Sequence, residues 1–125
     1  MNRKQVASSY LNHLEKGDIE NLLSLFTANA LVDSPLYGML PASEFYIKLN
    51  NDTENSELHL NGIFQDANSN QLALYFTYKW SLKNDMFVEF DVVDIIEFDA
   101  KNKISKLKII YDTVVARKLK AKLME

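Results

Sequence analysis

The chain of 125 residues contains no cysteine. Disulfides, thiol catalysis and thiolate metal sites are therefore excluded, and such a chain suits a reducing compartment. Glycine (3) and proline (2) are scarce, so few long flexible loops are expected. No apolar run approaches the roughly 20 residues of a membrane span. The opening Met1-Asn2-Arg3-Lys4-Gln5 lacks the apolar stretch of a signal peptide. The expectation is a cytoplasmic protein with no membrane contact. A net basic excess is missing too: the formal charge of −3 and pI near 5.4 argue against a nucleic-acid partner. The two histidines, His13 and His59, fall on different elements and share no ligand spacing, so no metal is expected. There is no Gly-rich phosphate loop and no Gly-x-Ser-x-Gly elbow. No cofactor is expected.

What remains is a globular chain, 47% hydrophobic and 25% charged, of a size that suits one domain over residues 1–125. Val6, Tyr10 and Leu14, with Leu11 beside them, recur at helical spacing and predict a helix over 3–15. Gly17 suits its C-terminal cap. Asp18 caps a second helix, with Leu22, Leu23, Leu25 and Phe26 as its apolar face. Residues 30–33 read as a short strand ended by Ser34-Pro35, and Gly38 as a turn. Pro41 opens a third helix that turns Phe45, Tyr46 and Leu49 inward, followed by a polar loop over 50–55.

From there the hydrophobic period changes from 3.6 to 2. Leu58, Leu60 and Phe64 alternate with polar residues. Leu72, Leu74, Phe76, Tyr78, Trp80 and Leu82 form one face of a long strand. Phe90, Val92, Asp94, Ile96 and Phe98 form a face of the next, and Leu107, Ile109 and Tyr111 of the last. Turn signals separate them at 66–70, 83–85 and 99–102. Asp112-Thr113 caps a basic terminal helix over 116–125, whose Arg117, Lys118, Lys120 and Lys122 read as a solvated face. Helices followed by hairpin-linked strands imply an α+β domain with an antiparallel sheet.

Asp94 breaks the pattern. Its same-face neighbours are Phe90, Val92, Ile96 and Phe98, so the strand's period points it into the core. An unpaired carboxylate there costs several kcal/mol, and protonation is the usual escape. A neutral carboxylic acid is a hydrogen-bond donor and can stabilise an oxyanion. The structural alternatives are a bulge, a register end or a core partner such as Tyr10. Tyr10 itself reads either as core packing or as a second donor to the same point. Asp91 has the opposite parity and belongs to a surface or subunit interface.

These residues also carry a resemblance. Tyr10 through Gly17-Asp18-Ile19-Glu20, then residues 25–35, resemble the opening of the SnoaL-like and ketosteroid isomerase-like branch of the NTF2-like superfamily. Residues 90–99 and 103–112 resemble that family's last two strands. The match covers residues 4 to about 113. It implies a cone, in which a curved mixed or antiparallel sheet is wrapped by three N-terminal helices around an apolar pocket. It also implies a homodimer formed through the open sheet face and an apolar small-molecule ligand.

Isomerases of this family hold an oxyanion between a Tyr and a protonated Asp while a second Asp moves the proton. By resemblance Tyr10 and Asp94 take the donor positions. Phe26, Ser34, Phe45, Trp80, Phe90, Val92 and Tyr111 are the expected substrate-binding residues. The base departs from the pattern. The family's Asp stands directly before a proline; here that residue is Ser34, and the acid is one earlier, Asp33. A one-residue shift turns a side chain to the other face unless a bulge re-aims it. Asp33 is the provisional base, with Asp112 a minor candidate. Two functions follow as expectations. One is isomerase or cyclase chemistry by proton transfer next to a carbonyl. The other is a non-catalytic module that binds a hydrophobic ligand or dimerises.

Overall fold

The computed structural model describes residues 1–123. In chain order the elements are α1 (Arg3–Lys16), α2 (Ile19–Leu23), β1 (Phe26–Ser34), β2 (Gly38–Pro41), α3 (Ala42–Asp52), β3 (Thr53–Gln65), β4 (Gln71–Leu82), β5 (Phe87–Phe98), β6 (Ile104–Ile110) and α4 (Val114–Leu123). The strands form one six-stranded sheet in the order β2-β1-β6-β5-β4-β3. The sheet is mixed: β1 runs parallel to β6, and every other pair is antiparallel.

Local signals set the helices. Asn2 and Gln5 cap α1 reciprocally, each side chain bonding the other's backbone N–H. Gly17 ends α1 in the left-handed conformation, with φ of 66°. Asp18 caps α2 by accepting the Asn21 N–H. The helical reading of Leu25 and Phe26 is corrected. The Leu25 carbonyl accepts the Ile104 N–H at 2.9 Å and Phe26 opens β1 beside Ile104, so sheet pairing overrides the apolar pattern of α2. Gly38, at φ of +83°, opens a strand rather than only a turn, and β2 folds back on β1.

The polar loop expected at 50–55 does not form, because α3 runs to Asp52 and β3 begins at Thr53. The Thr53 hydroxyl satisfies the junction by donating to the Leu49 carbonyl at 2.5 Å and accepting the Trp80 indole N–H at 2.8 Å. In β3 the register shifts between Leu60 and Gly62. That bulge turns Ile63 inward and sends Phe64 out, 62% exposed, against the inward reading of its alternation.

β4 and β5 alternate buried and exposed as the sequence period requires. Their inner face packs against α1 and α3 through Tyr10, Leu14, Phe45 and Tyr46, all buried. At the far end α4 sits against this body through buried Ala116 and part-buried Leu119 and Leu123. The Arg117 guanidinium donates to the Pro35 carbonyl, and Lys120 Nζ lies 5.0 Å from the Tyr37 ring. Met124 and Glu125, read from sequence as the end of this helix, lie outside the described residues. Among the described residues no helix is long and apolar enough to cross a membrane.

Candidate functional site

Asp94 sits at the centre of the sheet. On β5 it pairs with Leu74 of β4 and Ile109 of β6, and its side chain is 1% exposed. Neither carboxyl oxygen has a hydrogen-bond partner. Burial alone pushes its pKa well above the usual carboxylate range. With no cation among its influences, burial favours the protonated form of this acid.

Around it the phenols are paired. The Tyr10 and Tyr46 hydroxyls lie 2.7 Å apart, those of Ser56 and Tyr78 2.8 Å. Burial, then Tyr46, then the nearby Asp94 raise the Tyr10 pKa. Burial likewise raises Tyr46, and pushes Tyr78 up to about 12 against the opposing hydrogen bond from Ser56. Tyr111 is pushed up to about 12, by burial against the opposing charge of Arg117. It stacks on Phe90 at 4.5 Å, and Phe90 on Tyr78 at 5.6 Å.

Asp94, Tyr10, Tyr78, Phe90 and Tyr111 line a cavity of about 40 Å3. The structure brings eight of the sequence-derived residues to its wall: Tyr10 and Asp94, with Ser34, Phe45, Trp80, Phe90, Val92 and Tyr111. Two are elsewhere. Phe26 packs behind Tyr46, ring centroids 5.5 Å apart, and does not reach the cavity. Asp33 is half-buried on the opposite face of β1, in register with Lys108 and Met39. The only shift in that pairing lies upstream, between Phe26 and Leu31, so no bulge re-aims Asp33 inward.

Ser34 is buried, and its hydroxyl accepts the Leu36 and Tyr37 N–H groups at 3.1 Å each, closing the turn after β1. Asp112 is exposed and accepts the Val114 N–H at the start of α4. Among the described residues Asp94 is the only carboxyl on the cavity wall. No group of acids and histidines there has a metal-holding arrangement.

Several wall residues were not singled out from sequence as functional. Phe76, Tyr78 and Ile109 are legible as inward strand positions, and Leu14 and Leu49 as inward helix positions. Tyr37 had no signal, because it sits in the turn between β1 and β2. Its hydroxyl donates to Asp52 at 2.5 Å.

No family model matches the sequence, and no curated protein matches it. Solved structures do match. An NTF2-like protein of unknown function from Burkholderia pseudomallei is 12% identical, covering 95% of this chain and 97% of its own, with a TM-score of 0.82. The epoxide hydrolase/cyclase-like enzyme SalBIII of pyran ring formation in salinomycin is 17% identical over 88% and 90%, with a TM-score of 0.76. A protein from Catenulispora acidiphila with a ketosteroid isomerase-like fold, solved with trimethylamine, is 12% identical over 90% of each chain, also at 0.76. At these identities the likeness is one of fold: this chain has the NTF2-like cone.

Proposed function

We propose that this NTF2-like domain is a small-molecule pocket whose ligand is held at one polar atom by Asp94, neutral in the empty cavity, with Tyr10 beside it. One observation carries the reading: a fully buried carboxyl with both oxygens unpartnered, on the wall of an apolar cavity. Buried polar groups without partners are rare, and one facing a cavity is a group whose partner arrives from outside. Compact ligands suit the space, since about 40 Å3 corresponds to roughly three or four water-sized sites at about 10–15 Å3 each.

The two-acid proton shuttle lacks its second acid, because Asp33 lies outside the cavity. A catalytic form of the reading therefore has Asp94 alone as acid and base. An isomerase or a ring-closing cyclase of that kind, like the cyclase-like enzyme that shares the fold, protonates its substrate and takes the proton back. Two copies pair back to back through the outer sheet face. There Phe64, Ala73 and Ile95 form one row and Tyr75, Val93 and Ile110 the next.

The test uses Trp80, the single tryptophan and a wall residue. Its indole N–H gives one NMR signal. Fragments of roughly four to seven non-hydrogen atoms with one polar atom are expected to shift it. Asp94→Asn is expected to weaken them about tenfold or more. Binding that ignores the substitution contradicts the reading. For a bound ketone, hydrogen exchange next to the carbonyl in heavy water separates binding from turnover. Exchange at the solution rate fits a binding pocket; faster exchange that Asp94→Asn abolishes gives Asp94 the catalytic role.

A further inference from the structure

The hydrogen-bonding groups of the cavity wall are mostly committed elsewhere. Trp80 gives its N–H to Thr53, and Tyr37 its O–H to Asp52. The Ser34 oxygen is taken by two backbone N–H groups. The hydroxyls of Tyr10 and Tyr78 are engaged with Tyr46 and Ser56. What remains for a ligand is the two free oxygens of Asp94, the Tyr111 hydroxyl, without a partner among the described residues, and the aromatic rings, which make up about half of the wall. Lysine, arginine and histidine are absent from it among the described residues.

Ring faces carry the negative part of the aromatic quadrupole and attract cations, most strongly where water is excluded. Carboxyl oxygens do the same once ionised. An oxyanion would meet few free donors and no positive charge. A small cation would meet a carboxylate and ring faces together. The volume points the same way, because three or four water-sized sites match a methylated nitrogen and not a fused-ring skeleton.

We propose that the pocket takes a small alkylammonium ion, its nitrogen beside Asp94 and its methyl groups against the rings of Tyr78, Trp80 and Phe90. The inference deepens, and rests on, the reading of Asp94 as the group that holds the ligand's polar atom. The proton balance is simple. In the empty cavity Asp94 carries a proton. An amine arriving as free base takes it: the O–H bond breaks, an N–H bond forms, and a carboxylate–ammonium pair remains. An amine arriving already protonated displaces the Asp94 proton to solvent. The titratable groups facing Asp94 are Tyr10 on α1, Tyr46 on α3 and Tyr78 on β4, with Tyr37 and Tyr111 further along the wall. All are phenols raised by burial, and none supplies a competing positive charge.

The experiment titrates the full chain with trimethylammonium chloride and with acetone, a neutral carbonyl compound of the same size, against a sodium chloride control. The Trp80 indole signal reports occupancy. The ammonium ion is expected to bind about tenfold or more tightly than acetone. Its affinity should rise about tenfold per pH unit while Asp94 is protonated in the free protein. Asp94→Asn should reduce the preference and abolish the pH dependence.

Equal or tighter binding of acetone, or a preference and pH dependence that Asp94→Asn leaves unchanged, overturns the ammonium assignment. If acetone binds in an Asp94-dependent way, the broader reading of the pocket stands. If neither probe moves the Trp80 signal, both fall. The wild-type comparison of the two probes decides the matter by itself where the variant does not fold.

Discussion

The protonation of Asp94 is linked to the stability of the fold. Its folded-state pKa is raised above the ordinary value of 3.8 by burial, so the folded chain holds this proton more tightly than the unfolded one. The contribution is fully present below the ordinary value and is lost as pH rises through the folded value. Chemical unfolding of wild type and Asp94→Asn across pH isolates it. The stability difference, wild type minus variant, is expected to fall by about 1.4 kcal/mol per pH unit over that window. A flat difference would show that Asp94 titrates as an ordinary surface acid. Strand parity alone placed this residue inward, because β5 has no bulge near it. Parity also told against Asp33, and the regular β1–β6 pairing at Leu31, Val32 and Asp33 fixes it on the outer face. Ser34 illustrates a role that parity does not carry. Its buried hydroxyl closes a turn by accepting two N–H groups, which depends on the conformation of Pro35 to Tyr37.

At the scale of elements, legibility followed how local the cause was. The Gly17 cap of α1, the Asp18 cap of α2 and the turn at Asp66–Asn70 are written in neighbouring residues, and each formed where read. The buried faces of β4 and β5 were equally plain, since an uninterrupted period of two survives folding intact. The failures have non-local causes. Phe26 looks helical beside Leu22 and Leu23, yet it pairs with Ile104, 78 residues on. The bulge in β3 reverses the parity of Phe64, and an extra residue in one strand is visible only against its partner. Residues 50–55 are polar and look like a loop. Thr53 instead joins α3 directly to β3, using partners on α3 and on β4. The outline of the pocket was legible because most of its wall comes from regular helix and strand faces. Tyr37 was not, because its place is set by a turn and by its bond to Asp52.

For the whole molecule, the mixed sheet divides the surface in two. Its inner face closes over the pocket, and its outer face presents apolar rows with Lys108 and Asp33 beside them. Phe64 is 62% exposed and Ile110 48%. Large exposed apolar residues grouped on one face mark an association surface. Sedimentation is expected to find a dimer, and Ile110→Lys to give monomers with the cavity still able to bind. A monomeric wild type would contradict an association role for the outer face.

The pocket is organised around a carboxyl that burial drives toward its neutral form. Infrared difference spectroscopy of the unliganded wild type against Asp94→Asn at pH 7 tests this most directly. Wild type is expected to show the C=O stretch of a protonated carboxylic acid, lost in the variant; the symmetric and antisymmetric bands of a carboxylate in its place would contradict a neutral Asp94.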